Sequence, residues 1–185
     1  DVERSRGLGD VYKRQAYKYG VRHFSVFDAG EAYAVHQSLA GKSITLMIMG
    51  MVDHQQIEWA VENNIEFFVF DIERLQSAIY TAKKLRKPAR IHIEVETGMH
   101  RTGFEKKDYK NVLKLIKENS AHLVVNGLCT HLAGAESISN YKRIKDQQKK
   151  FKRIVQNLEH NGWKLPSLHM ASSAATIRYP KTRLD

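Results

Sequence analysis

Two glutamates and an arginine are the first candidates for chemistry, and they lie in the stretch IHIEVETGMHRTGF, residues 91 to 104. The stretch begins with the alternation of a β-strand, which places Glu94 and Glu96 on its polar face. A turn then places Arg101 just beyond the C-terminal end of that strand. Carboxylates buried in a core are costly unless another group compensates them. The pattern therefore indicates a site that contains a partner for these charges.

Two further candidates follow other apolar runs in the same way. His131 lies in GLCTHLAGAES, residues 127 to 137, and Ser173 lies in LHMASSAATIRYP, residues 168 to 180. A histidine at the end of a strand is typically a structural hydrogen-bonding residue, and it can also orient a neighbouring catalytic group. A serine at a strand-to-helix turn can bind an anion or cap the helix, and the two roles are compatible.

The elements that would position these residues alternate between short apolar runs and amphipathic stretches. This rhythm is typical of repeated βα units and a parallel sheet. We predict strands in residues 23–27, 44–50, 65–70, 90–97, 124–133 and 167–172. We predict helices in residues 29–41, 53–64, 71–86, 106–120 and 137–162.

Six strands fit either an open doubly wound sheet or part of a barrel, and two observations favour the barrel. The first predicted strand is not followed by the Gly-x-Gly-x-x-Gly fingerprint of dinucleotide-binding folds. Polar residues recur at the C-terminal ends of strands, where (β/α)8 barrels place their active sites. Because a complete barrel needs roughly 250 residues and the chain has 185, we predict an α/β fold, an incomplete (β/α)8 TIM barrel with about six parallel strands and outer helices.

The three strand-end motifs, in this order and spacing, resemble the alanine racemase family. GVRHFSVFDAGEAYAV, residues 20 to 35, resembles the second strand of that family and the helix after it, so the likeness covers residues 16–185. The resemblance implies an enzyme that depends on pyridoxal 5′-phosphate, with a fold-type III barrel followed by a β domain. It also implies an isomerase that interconverts L- and D-amino acids by α-proton transfer, with a small amino acid as substrate and a homodimeric full-length protein.

The resemblance also implies roles for individual residues. Arg101 matches the arginine that contacts the phenolic oxygen of the cofactor and the substrate side of the site, and we expect Glu94 and Glu96 to balance its charge. His131 matches a histidine that links the arginine at the pyridine nitrogen to a catalytic tyrosine, and Ser173 matches the serine that binds the cofactor phosphate. The chain departs from the family at Glu94, where many members have a carbamylated lysine, and at Glu96, which replaces an aspartate. The family asparagine before the phosphate serine is replaced by Ser172.

Other elements of the family site are expected outside residues 16–185. These are the Schiff-base lysine on the first strand, the arginine of the eighth strand and the catalytic tyrosine of the C-terminal β domain. DVYKRQ, residues 10 to 15, matches the translated end of a transposon-based sequencing adapter, so we expect residues 1–15 to be an assembly artefact and Lys13 to have no catalytic role. We therefore predict a partial barrel domain in residues 16–185 that lacks the first and last strands and is inactive by itself.

Three alternatives remain open at this point. The first is a non-catalytic carrier of pyridoxal phosphate on the same barrel. The second is a metal-dependent isomerase barrel with Glu94, Glu96, His92 and His131 as ligands, although the sequence contains no tight ligand cluster, and we predict no metal. The third is nucleic-acid binding, suggested by a net charge of +10 and by the basic stretch 141–156. We interpret that stretch as an outer helix with a solvated face and predict no nucleic-acid partner.

Three features of the sequence predict a cytoplasmic protein without a membrane span. They are the single cysteine, the absence of an apolar run of about 20 residues and a charged N-terminus.

Overall fold

The computed structural model describes residues 11–163 and 167–184. Two compact units divide the chain, one that ends at Phe68 and one that begins at Val69. Residues 11–18 are helical and none of them is buried. The predicted artefact, residues 1–15, falls largely outside the described residues.

The first unit consists of parallel strands that alternate with helices. Strands β1 (His23–Val26) and β2 (Thr45–Ile48) pair in parallel over their full length, and β2 pairs with the beginning of β3 (Glu66–Val69). Helix α1 (Ala29–Ser38) follows β1, and helix α2 (His54–Glu62) follows β2. This order confirms the predicted alternation of strands and helices in this part of the chain.

Aspartates start the helices that follow these strands. The side chain of Asp28 accepts a hydrogen bond from the Glu31 amide at the beginning of α1. Asp53 forms a capping box with Gln56, in which each side chain accepts a hydrogen bond from the backbone amide of the other residue. Such caps satisfy amides that have no acceptor within the helix, so each strand ends at a defined turn.

The second unit continues the same alternation of strands and helices. Its helices are α3 (Ile72–Leu85), α4 (Tyr109–Glu118), α5 (Tyr141–His160) and α6 (Ser173–Arg178). Its strands are β4 (Ala89–Glu94), β5 (Leu123–Cys129) and β6 (Leu168–His169), paired in parallel in that order. Glu94 is in register with Cys129, which is in register with His169. The C-terminal ends of the three strands therefore lie along one edge of the sheet.

Strand β4 and helix α5 show how this unit is packed. Residues 91–97 are all buried, so both faces of the strand are covered. Helix α5 buries the apolar residues that recur along its sequence at helical spacing, and its charged residues remain exposed or half-buried. This confirms that the basic stretch 141–156 is an outer helix with a solvated face. The buried residues are Ile144, Phe151, Ile154, Val155 and Leu158.

All six predicted strands end beyond the observed ones, and two of these differences concern the candidate site. The predicted strand 90–97 ends at Glu94, and the predicted strand 124–133 ends at Cys129. Apolar and β-branched residues continue beyond both ends, but there they are buried in loops outside the ladder. These extensions contain two of the candidate site residues, Glu96 and His131.

Candidate functional site

The loop that carries Arg101 is closed at its base by backbone hydrogen bonds. The amide of Phe104 donates to the carbonyl of Glu94 at 2.8 Å, and the amide of Glu96 donates to the carbonyl of Phe104 at 3.0 Å. Phe104 itself is buried. Residues 97–103 thus leave the end of β4 and return to it, and Arg101 lies within this closed loop.

The carboxylate of Glu96 is hydrogen-bonded to backbone amides of this loop. One of its carboxylate oxygens accepts a hydrogen bond from the amide of Gly98, and the other accepts from the amide of His100 at 2.7 Å. Gly98 has a φ of +141° and His100 a φ of +58°, so the carboxylate stabilises a backbone path that most residues disfavour. We expected both glutamates to balance the charge of Arg101. Instead, the carboxylate of Glu96 is hydrogen-bonded to the backbone of the loop.

Glu94 lies beneath the loop and is 4% exposed. Its carboxylate accepts a hydrogen bond from the hydroxyl of Thr102 at 2.9 Å. Burial raises the pKa of Glu94, and the Thr102 hydrogen bond and the positive charge of Arg101 oppose that increase. Glu94 therefore interacts electrostatically with Arg101.

Arg101 is exposed. Within the described residues its guanidinium forms no hydrogen bond, and its charge acts on both Glu94 and His131. A guanidinium is permanently charged and presents several donors in a fixed plane. Arg101 is thus available to bind an anionic oxygen at this edge of the sheet.

His131 follows β5 and its side chain is exposed. Partial desolvation lowers the pKa of His131, and the positive charge of Arg101 lowers it further. The imidazole is therefore biased toward its neutral form, which has one donor and one acceptor nitrogen. His131 and Arg101 lie within electrostatic range of each other, as their positions at neighbouring strand ends predict.

Ser173 is the first residue of helix α6 and is exposed. Its neighbour Ser172 is the N-cap, and the Ser172 hydroxyl accepts a hydrogen bond from the amide of Ala175 at 3.3 Å. Ser172 therefore caps the helix, and the Ser173 hydroxyl has no hydrogen-bonding partner among the described residues. Strand β6 ends four residues before Ser173, at the same edge as β4 and β5.

The sequence analysis did not single out a buried polar group behind this edge. Gln147 in α5 is hydrogen-bonded to Thr97, His131 and Ala133, and Thr97 is hydrogen-bonded to Thr130. A signal for Gln147 does exist in the sequence, because it interrupts the apolar face of α5 midway between Ile144 and Phe151. A polar residue in an apolar stripe needs a buried partner.

The histidines proposed as metal ligands do not gather around the two glutamates. Nδ1 of His92 lies 3.2 Å from Nε2 of His169, which is also 3.0 Å from the hydroxyl of Ser167. Among residues 11–163 and 167–184, no group of three His, Cys, Asp or Glu side chains is arranged to hold a metal ion. In the same residues, no helix combines the length and the apolar character needed to cross a membrane.

Comparison with known proteins identifies the family. A sequence model described as alanine racemase, N-terminal domain, matches residues 4–185. The chain belongs to the alanine racemase family. The family explains why the three strand-end motifs occur together and in this order.

Individual relatives agree with this assignment. The chain is 33% identical over 186 residues to an alanine racemase of Methanococcus maripaludis, with 95% of this chain and 49% of that protein covered. It is 28% identical over 173 residues to alanine racemase 1 of Oceanobacillus iheyensis, with 93% and 45% covered. The chain thus spans about half the length of these curated relatives.

Solved structures show the same fold. The alanine racemase of Clostridium difficile 630 matches with a TM-score of 0.82 at 24% identity, over 94% of this chain and 44% of that one. The enzyme of Streptomyces coelicolor A3(2) matches with a TM-score of 0.84 at 22% identity, over 92% and 45%. The predicted fold class, six parallel strands of an incomplete (β/α)8 barrel with outer helices, is confirmed in the part of the chain that the structure describes.

Proposed function

We propose that this chain is the pyridoxal-phosphate-binding barrel portion of an amino-acid racemase. The observation that carries the proposal is the state of Arg101. Its guanidinium is exposed at the C-terminal edge of the sheet without a hydrogen-bonding partner among the described residues, while the loop beneath it is held by Glu96. A cation whose loop is held in place and whose donors have no hydrogen-bond acceptor is suited to bind an anionic ligand.

The residues present fit pyridoxal 5′-phosphate. Arg101 would bind the phenolic oxygen of the ring, because a fixed positive charge stabilises that oxygen in its ionised form. The Ser173 hydroxyl would donate to the phosphate, since it is exposed and has no other partner in the described residues. Glu94, buried beneath the loop, would attract the guanidinium of Arg101 electrostatically from the protein side.

When bound, the cofactor supplies an electron sink for the carbanion formed at the α-carbon of an amino acid. The contribution of this chain is to bind and to orient. Arg101 holds an anionic oxygen, and His131, whose pKa is lowered, presents a neutral imidazole that can accept one hydrogen bond and donate another. His131 is therefore a positioning residue in this proposal, and no proton transfer is assigned to it.

The relatives support racemisation over a non-catalytic carrier, since both curated proteins above are named alanine racemase. In the whole protein we expect a small amino acid as substrate, and D-alanine for peptidoglycan precursors is the product that the family suggests. We also propose a homodimeric, cytoplasmic parent enzyme. The remaining catalytic groups would come from segments outside residues 16–185.

Titration of the purified chain with pyridoxal phosphate, followed by the absorbance of the cofactor, tests the proposal. Arg101→Ala and Ser173→Ala should each weaken binding by about tenfold, the effect of losing roughly 1.4 kcal/mol of interaction free energy. Arg153→Ala and Ser120→Ala remove the same groups from exposed positions elsewhere in the unit and serve as matched controls.

Pyridoxal without its phosphate separates the two roles. Its binding should be insensitive to Ser173→Ala and should still weaken in Arg101→Ala. Equal affinity of all four variants for pyridoxal phosphate would disprove the proposed site.

A further inference from the structure

The side chain of Gln147 connects two loops that come from different strands. It is 1% exposed, and it projects from α5 into the space behind the strand ends. Its Oε1 accepts a hydrogen bond from the amide of Ala133 at 2.8 Å. Its Nε2 donates to the carbonyl of His131 at 2.8 Å and lies 3.4 Å from the hydroxyl of Thr97. One amide group thus contacts both the loop after β4 and the loop after β5.

The directions of these hydrogen bonds follow from the number of protons available. The hydroxyl of Thr130 donates its single proton to the carbonyl of Val95 at 2.8 Å. At its contact with Thr97, 2.7 Å away, Thr130 must therefore accept, and the Thr97 hydroxyl donates. The Thr97 hydroxyl can therefore only accept in its contact with Gln147, which agrees with Nε2 of Gln147 as the donor. The chain of donors runs from Gln147 through Thr97 and Thr130 to Val95.

Arg143 adds a second connection from the same helix, one turn before Gln147. Its Nε donates to the carbonyl of Gly98 at 2.8 Å, and its Nη2 donates to the carbonyl of Met99 at 3.1 Å. Residues four apart lie on the same face of a helix, so Arg143 and Gln147 hold neighbouring parts of one loop. That loop continues directly into His100 and Arg101.

We propose that Gln147 is a positioning residue that fixes the Arg101 loop and the His131 loop relative to each other. Its importance for cofactor binding rests on the function proposed above, whereas the coupling of the two loops does not. The buried side chain is the only part of α5 that contacts both Thr97 and His131 among the described hydrogen bonds. A change at Gln147 should therefore alter the electrostatic effect of Arg101 on His131.

Glutamine is required by the chemistry of the three partners. An ionised glutamate at position 147 could still accept from the Ala133 amide, but its second oxygen would face the carbonyl of His131 and could not donate to it. A leucine would fill the space and leave both the His131 carbonyl and the Ala133 amide unsatisfied. Either substitution should loosen the connection between the loops, and the glutamate does so with almost no change of shape.

The experiment measures the pKa of His131 in the full chain by NMR titration, with the resonance identified through His131→Gln. In the wild-type chain, the charge of Arg101 contributes to lowering this pKa. Gln147→Leu should raise it toward the ordinary value. Gln147→Glu should raise it as well, but partly through its own negative charge, so the leucine variant is the decisive one. Thr97→Val, which removes only the hydroxyl that accepts from Gln147, should raise it by a smaller amount and keeps the test possible if the leucine variant does not fold. Gln156→Glu, at an exposed position of the same helix, is the control and should leave the pKa unchanged.

A double mutant identifies the cause of the change. Arg101→Gln alone should raise the pKa of His131, and Gln147→Leu should raise it less in the Arg101→Gln background than in the wild-type background. A lower melting temperature for the Gln147 variants with an unchanged His131 pKa would overturn the proposal, because Gln147 would then be a structural residue only. The measurement needs no cofactor, so a failure of the proposed pyridoxal-phosphate site would be seen separately in the titration.

Discussion

Glu96 and His100 are joined across the loop by a hydrogen bond of 2.7 Å from the His100 amide to the Glu96 carboxylate. His100 has a φ of +58°, in the left-handed region that non-glycine residues rarely adopt. The carboxylate stabilises this conformation, and the next residue is Arg101. The backbone conformation that presents Arg101 therefore depends on a side chain to which Arg101 is not hydrogen-bonded.

Glu96→Gln should destabilise the protein by about 1 to 3 kcal/mol, because one of two amides now faces an NH2 group and loses its acceptor. Urea unfolding measures the free energy of unfolding, and hydrogen exchange of the Gly98 amide or the His100 amide should accelerate. Glu105→Gln is the matched control, since the Glu105 carboxylate is largely exposed and makes a surface ion pair with Lys107. Equal stability of the two variants would contradict the anchoring role of Glu96.

Gly103→Ala should cost more stability than Gly41→Ala. Both glycines have positive φ, +110° and +72°, and an alanine in the left-handed region costs about 1 to 2 kcal/mol. Only at Gly103 would the new Cβ also meet backbone atoms, 2.7 Å from the Glu96 nitrogen and 2.8 Å from the Val95 carbonyl carbon. Thermal unfolding of the two variants compares the costs, and similar melting temperatures would show that the base of the loop can open without penalty.

Glu94→Gln should stabilise the protein relative to wild type at neutral pH. The pKa of Glu94 is raised above its ordinary value of 4.5 because the residue is buried. The folded state therefore binds this proton more tightly than the unfolded state, so wild-type stability falls as pH rises above 4.5. Glutamine does not ionise, so the stability of the variant does not fall with pH for this reason. The difference between the unfolding free energies of the variant and the wild type should therefore grow with pH. A difference that is constant from pH 4 to pH 8 would show that the charge of Glu94 is not penalised.

The purified chain should not racemise L-alanine when pyridoxal phosphate is added. The family places its Schiff-base lysine on the first strand and its tyrosine in the C-terminal domain, and we expect neither within residues 16–185. Formation of D-alanine is measured with a coupled assay, and borohydride treatment should fix no cofactor to the site. Turnover that requires pyridoxal phosphate and disappears in Arg101→Ala would show that the chain contains a complete site.

The local pattern of the sequence determined the order of strands and helices and the strand ends at which Glu94, Arg101, His131 and Ser173 lie. Periodicity could do this because alternating and helical spacings report directly which faces become buried. It placed the ends of β4 and β5 too far along the chain, since residues buried in a loop look the same in sequence as residues buried in a strand. The family motifs then indicated which of the polar residues at these ends belong together.

Only the tertiary structure decided what Glu96 and Gln147 do. Glu96 was interpreted as a charge facing Arg101, and its carboxylate instead accepts from two amides of its own loop. Gln147 lies 14 residues from Ala133 and 50 residues from Thr97 in the chain, and these atoms meet because α5 packs against the ends of β4 and β5. Hydrogen bonds over such separations depend on the positions of whole elements, to within a few tenths of an ångström. A pattern of residue types contains no such distances.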